Sequence, residues 1–222
     1  MCSHYQGIQR PESYREIFKA EPPAAPGKED MWPCYQGCFI RRHPHADVGD
    51  EAVPAHEALI GQFGLVPHWA EDLKLGRHTF NARSETVATK PSFRDAWRQA
   101  RHCIIPAMAI YEPDWRSGKA IATRISRADD QPMGIAGLWD QWKSPGGDTV
   151  HSFTMLTINA DEQRTGDEAS SQAQPSCWLS DRHAQLRLGL LQCSVGPQLW
   201  WVLTLVGTLC PDDRQWPGPD CA

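Results

Sequence analysis

Many short strand-like runs broken by only two short helical stretches predict an α+β fold or a β-barrel-like core with helices at its edge. Three observations carry this expectation. Apolar runs of strand length recur over residues 58–67, 103–111, 120–125, 133–139 and 153–158, each bounded by turn-forming residues. Helical spacing is confined to 11–20 and 92–98, and no segment repeats. A chain of 222 residues suits one domain, or one domain with a tail.

Taken in order, residues 11–20 put Tyr14, Ile17 and Phe18 on one helical face at i, i+3 and i+4, with Pro11 in the opening turn. Residues 22–30 are rich in Pro, Ala and Gly and read as a loop. A strand is expected around Cys38, Phe39 and Ile40, and the acidic, proline-punctuated stretch 46–56 reads as an exposed insertion. The run 58–67 is a strand closed by Pro67. Ser92 is placed to cap a helix carrying Phe93, Ala96 and Trp97 on one face. Residues 120–125 alternate as a half-buried strand does. After Asp161 the pattern breaks: 162–176 is polar and featureless, and later apolar runs lack a period. The chain thus divides into a domain over 1–161 and a divergent C-terminal segment over 162–222.

Composition narrows the function. Lys and Arg number 22 against 27 Asp and Glu, a net charge of -5, which is the wrong balance for an abundant nucleic-acid coat. Any such binding must be local. The eight cysteines form no CxxC pair, so a reducing cytoplasm is expected. Cys34, Cys38, His43 and His45 fit no standard zinc-finger spacing, and neither metal nor cofactor is expected. The N-terminus lacks an apolar signal region. The run 199–209 falls short of the roughly 20 residues of a membrane-spanning helix.

Cys2 follows Met1 directly. Removal of Met1 leaves a 1,2-aminothiol whose amine and thiol titrate near about 8 and 8.5, a pair suited to aldehydes: the amine condenses to an imine and the thiolate closes onto the imine carbon. The plain alternative is an incidental residue in a frayed terminus. Four downstream stretches stand out: FGLVPHWA over 63–70, FNARSETV over 80–87, RHCIIPAMAIYE over 101–112 and GLWD over 137–140. Within them, Asn81 is either a turn former or an amide that holds a sugar hydroxyl or orients the amine. Arg83 suits bidentate phosphate contact or an ion pair with Glu85. Glu112 ends an apolar strand, where it faces water or, partly buried with its pKa raised, shuttles protons. Trp69 is either a stacking ring for a base or a core residue. Arg77, His78, Arg41 and Arg42 line a basic groove or merely a solvated face.

Met-Cys at the start followed in order by these four stretches resembles the SRAP family, the abasic-site processing proteins, over roughly 1–161. The resemblance implies a fold with a β-barrel-like core of mostly antiparallel strands and peripheral helices. It further implies binding of single-stranded DNA containing abasic sites, including replication-fork DNA. The lesion is trapped as a thiazolidine crosslink on Cys2, with associated autopeptidase and lyase chemistry. Catalytic roles fall on Cys2, Asn81 and Glu112, and DNA contacts on Arg83, Trp69, Arg77 and Thr157. The last lies in a strand, where threonine is usually structural. A cytoplasmic, nucleoid-associated monomer without membrane contact is expected.

Two departures matter. Where the family carries Asn-x-Ala-Pro, this chain has MWPCYQG over 31–37. The family's His-x-Arg-Met-Pro motif is absent after Asp161, and the next histidine is His183. Two competing readings stay open: an N-terminal-nucleophile cysteine amidohydrolase, and a catalytically impaired DNA-binding relic.

Overall fold

The computed structural model describes residues 4–46, 52–114, 118–127 and 129–157. Cys2 and the segment after Thr157, including the apolar run 199–209 and His183, lie outside the described residues, so the division at 161 is not visible in the fold.

The strands run in the order β1 (His4–Gly7), β2 (Asp30–Met31), β3 (Gln36–Arg42), β4 (His56–Phe63), β5 (Asn81–Arg83), β6 (His102–Asp114), β7 (Ile121–Ile125), β8 (Met133–Lys143) and β9 (Thr149–Thr157). Helices α1 (Pro11–Phe18) and α2 (Arg94–Arg98) and a 3-10 helix over Leu73–His78 complete the set. Strands β6, β3, β4, β9 and β8 pair in a ring, since β8 pairs with both β9 and β6, and the ring closes a five-stranded barrel. Every pairing in it is antiparallel except β4 with β9. Closure leaves those five strands few unpaired edges, and β1, β2, β5 and β7 cover what remains.

Alternation along the strands separates inside from outside. Phe39, Phe63, Cys103, Ile105, Ala107, Met133, Ile135, Phe153 and Met155 fill the barrel, while Ile40 and Ile104 point outward beneath α1 and Ala136, Leu138 and Leu156 beneath α2. Phe153 lies with its ring centroid 5.6 Å from those of both Phe39 and Phe63. Each such buried side chain contributes about 1.5–3 kcal/mol, so this trio outweighs surface ion pairs worth about 0–1 kcal/mol each.

Helix α1 has Pro at its start and buries Tyr14 and Phe18, as its spacing predicts; Lys19 ends it in the left-handed region at φ 53°. Helix α2 is shorter than expected. It begins after Phe93, and no side chain caps it, so Ser92 does not serve as the cap. The expected strand 58–67 instead spans His56–Phe63. It stops at Gly64, whose φ of 114° turns the chain before Pro67 is reached.

Candidate active site at one rim of the barrel

Strand directions gather the candidate residues. The ends of β4, β5, β6 and β9 emerge at one rim, because β6 runs antiparallel to β8, β8 antiparallel to β9, and β4 and β5 parallel to β9. The starts of β1 and β3, both antiparallel to β6, arrive at the same rim. Arg83, Glu112, Thr157, His4 and the 32–35 turn are therefore rim residues by topology.

Glu112 owes its orientation to a bulge. Gly7 pairs with Ala107 and Gln6 with Ala109, so Met108 is the extra residue, and one extra residue reverses which face the following side chains take. Ile110 then joins the barrel core beside Tyr5, and Glu112, two residues on, shares that face opposite the buried Thr123. Glu112 is 5% exposed, which excludes a carboxylate facing open water.

Parallel pairing of β5 with β9 sets Asn81 beside Met155, Ala82 beside Leu156 and Arg83 beside Thr157. Met155 points into the barrel and Leu156 away, so by alternation Asn81, Arg83 and Thr157 belong to the inner face at its rim. Asn81 sits in a strand rather than on the expected turn. Thr157 is 3% exposed, and its Oγ1 is buried with no hydrogen-bond partner among the described residues. Arg83 is exposed and makes no ion pair with Glu85 among the described residues. The cationic head of Arg83 is thus open to solvent, whereas Glu112 and Thr157 at the same rim are buried.

The 63–70 stretch leaves this rim. Leu65 and Val66 bond to Thr79 and Ser152, and Trp142 donates its Nε1–H to the Ala70 carbonyl at 2.7 Å, near the opposite end of β8. Trp69 is 48% exposed, so it is not a core residue, but its loop runs beside the far end of the barrel. The 3-10 helix returns the chain: a Cβ at Gly64 would run into the carbonyl oxygen of Gly76, and the exposed Arg77 follows directly. Arg41 lies elsewhere. It pairs with Glu57 at 2.7 Å and stacks 4.1 Å over Trp139 at the end of the barrel remote from Thr157, so it does not share a groove with Arg83. That far end also holds Arg101 against Asp140, whose pKa burial raises despite the guanidinium, and His151, whose pKa burial and Arg41 lower.

Sequence reasoning missed β1 and the aromatic residues around it. His4 stacks between Trp32 and Tyr111, with both centroid distances 4.2 Å and interplanar angles of 9° and 10°. Its Nε2 lies 3.1 Å from Asp30 Oδ1. Three rings separated by 28 and 79 residues leave no local periodicity to find.

The family model "SOS response associated peptidase (SRAP)" matches residues 1–166. Among curated relatives, the chain is 38% identical over 102 residues to "Abasic site processing protein YoqW" of Bacillus subtilis (strain 168), 46% of this chain and 45% of that protein. It is 26% identical over 128 residues to "Abasic site processing protein HMCES" of Mus musculus, 45% of this chain and 36% of that protein. The matched region thus spans less than half the length of these relatives. Among solved structures, a protein from Bordetella bronchiseptica is 46% identical, with a TM-score of 0.63 over 79% of this chain and 81% of that one. One from Bacteroides thetaiotaomicron, 16% identical with a TM-score of 0.62 over 91% and 86%, shares the fold.

Proposed function

Because the chain belongs to the SOS response associated peptidase family, we propose that it processes abasic sites in single-stranded DNA by forming a covalent thiazolidine crosslink through Cys2 once Met1 is removed. One observation carries this reading: His4 pairs with Tyr111, the neighbour of the buried Glu112, at the rim where Arg83 and Thr157 also end. The chain between Cys2 and His4 is two residues, at most about 7 Å, which supports a role for Cys2 at this rim.

The neutral α-amine attacks the aldehyde carbon of the opened abasic sugar and gives a carbinolamine after a proton moves from nitrogen to oxygen. Glu112, in its protonated form, donates to the carbinolamine hydroxyl, which leaves as water and forms the imine. The imine leaves that step protonated on nitrogen, so addition of the Cys2 thiolate to its carbon closes the five-membered ring with a neutral nitrogen, and the proton given up by the thiol restores the Glu112 acid. Asn81 holds the sugar hydroxyl or orients the amine, and Arg83 engages a flanking phosphate. Thr157, buried at the end of β9 beside Arg83, supports the strand that carries this rim and meets DNA only where binding uncovers its hydroxyl. Trp69 and Arg77 contact DNA only where the strand extends past the rim. The same imine is the branch point for lyase chemistry, and a free aminothiol at the terminus is the product expected of autopeptidase action.

Intact-mass spectrometry after incubation with an oligonucleotide bearing one abasic site tests the reading. The expected adduct weighs the sum of the two partners less one water. Cys2→Ser, or a blocked N-terminus, eliminates the heat-stable adduct, because a hydroxyl does not close the ring as a thiolate does. A heat-stable adduct of undiminished yield in Cys2→Ser would overturn the mechanism, and hydrolysis of amide substrates without DNA adducts would favour an N-terminal-nucleophile amidohydrolase.

A further inference from the structure

The crosslinking chemistry leaves one part of the rim unused, the 31–37 segment that replaces the family's Asn-x-Ala-Pro. We infer that the ladder of Trp32, His4 and Tyr111 is a stacking platform for an unpaired nucleobase, seated on the open side of Trp32. This inference rests on the proposed binding of single-stranded DNA.

Among the described residues, the stack has no ring beyond Trp32. His4 occupies the middle, 4.2 Å from each neighbour and nearly parallel to both. Trp32 is 44% exposed, and Tyr35, three residues on, is 37% exposed. A tight turn holds both rings out. Tyr35 N donates to Trp32 O at 3.0 Å, Pro33 takes the second position, and Cys34 takes the third at φ 71°, where such a turn favours glycine. A residue with a side chain in this conformation persists only where its surroundings enforce it. Here the turn is clamped to the end of β4 by Cys34 N to Phe63 O at 2.6 Å and Phe63 N to Tyr35 O at 2.8 Å.

Local charge decides which part of a nucleotide fits. Lys28, 4.0 Å above the Tyr35 ring, is offset by Glu29 and Asp30, so the turn offers no net positive charge to a phosphate. What it offers is flat π-surface, and every base has a π-face. An unpaired base on Trp32 adds a fourth ring, at the rim that also carries Glu112, where the proposed reaction holds the lesion. The platform therefore takes a base neighbouring the abasic site.

Non-covalent affinity for two oligonucleotides of equal length and phosphate number tests this. One carries a single tetrahydrofuran abasic analogue, which has no aldehyde, among normal bases; the other is tetrahydrofuran throughout. Trp32→Ala is expected to weaken binding to the first roughly 5- to 150-fold, the range for one base–aromatic stack. Its effect on the second should be under twofold, and Trp32→Phe should restore most of the loss. An unchanged melting midpoint shows that the exposed substitution leaves the fold intact. Equal loss on both oligonucleotides, or none on the first, overturns the inference. Wild-type protein assayed in parallel with an aldehydic abasic site separates the two claims: normal crosslinking with Trp32-insensitive binding refutes the platform alone, whereas no crosslinking refutes the proposed function.

Discussion

At the scale of single residues, Glu112 and Arg83 are expected to fail in different ways. Glu112→Gln removes the proposed proton donor while keeping shape and hydrogen-bonding capacity. Crosslinking should slow about 10²- to 10⁴-fold, the usual contribution of one general acid or base, while affinity for a non-reactive abasic analogue changes little. Single-turnover adduct formation measured beside equilibrium binding reads this directly. Arg83→Ala should do the reverse: it weakens binding and lowers the slope of log affinity against log salt by roughly 0.7, one phosphate contact on a single strand. An unchanged slope over a salt titration would remove Arg83 from the phosphate path. The contrast follows from burial, since Glu112 lies on the inner face and Arg83 in solvent. Both residue types were legible as candidates in the sequence. Their common rim was not, because alternation along β6 predicts the wrong face for Glu112 until the bulge at Met108 is known.

At the scale of elements, two glycines join the 63–70 loop to the 3-10 helix. Gly64 has a φ of 114° and lies against the carbonyl of Gly76, so Gly64→Ala forces both a disfavoured backbone conformation and a backbone collision. The conformation alone costs of order 1–3 kcal/mol. Chemical denaturation should therefore show a loss of at least about 2 kcal/mol with an unchanged denaturant slope. An alanine protein of wild-type stability would mean that the helix shifts freely away from the loop. This joint also explains an error in reading the sequence: Leu65 and Val66 look like the end of a strand because they are apolar, yet they bury themselves beyond a turn, against α2 and Trp142 respectively. Helix α2 teaches the same lesson from the other side. Ser92 has the right chemistry for a cap, but the helix starts one residue too late to use it, and packing of Phe93 and Ala96 against Leu138 holds the helix without it.

At the scale of the whole molecule, pH should tune stability through two histidines that burial keeps neutral. His56 and His151 both titrate below the usual 6.5, chiefly by desolvation and secondarily through Arg42 and Arg41. Below 6.5 the unfolded chain binds protons that the folded chain refuses, so this stabilisation is complete above 6.5 and is lost as pH falls through the depressed folded values. Asp140 acts with the opposite sign. Its raised pKa stabilises the fold at acid pH and is lost as pH rises from the ordinary value of 3.8. The histidine contribution should accordingly lower the urea midpoint at pH 5 relative to pH 7, and His151→Gln should raise the pH 5 midpoint relative to its own pH 7 midpoint when compared with the wild type; an equal pH difference in the two proteins would show that His151 does not carry the effect. The α+β class and the approximate course of most core strands were legible in the sequence, because strand alternation is a local property. Only the tertiary structure decided that β6, β3, β4, β9 and β8 close into a barrel. It also decided that a bulge turns Glu112 inward, that Arg41 is consumed by Glu57 at the far end, and that His4 stacks between Trp32 and Tyr111. Each of these depends on pairing between strands distant in sequence, where the register of one chain segment on another sets which side chains meet.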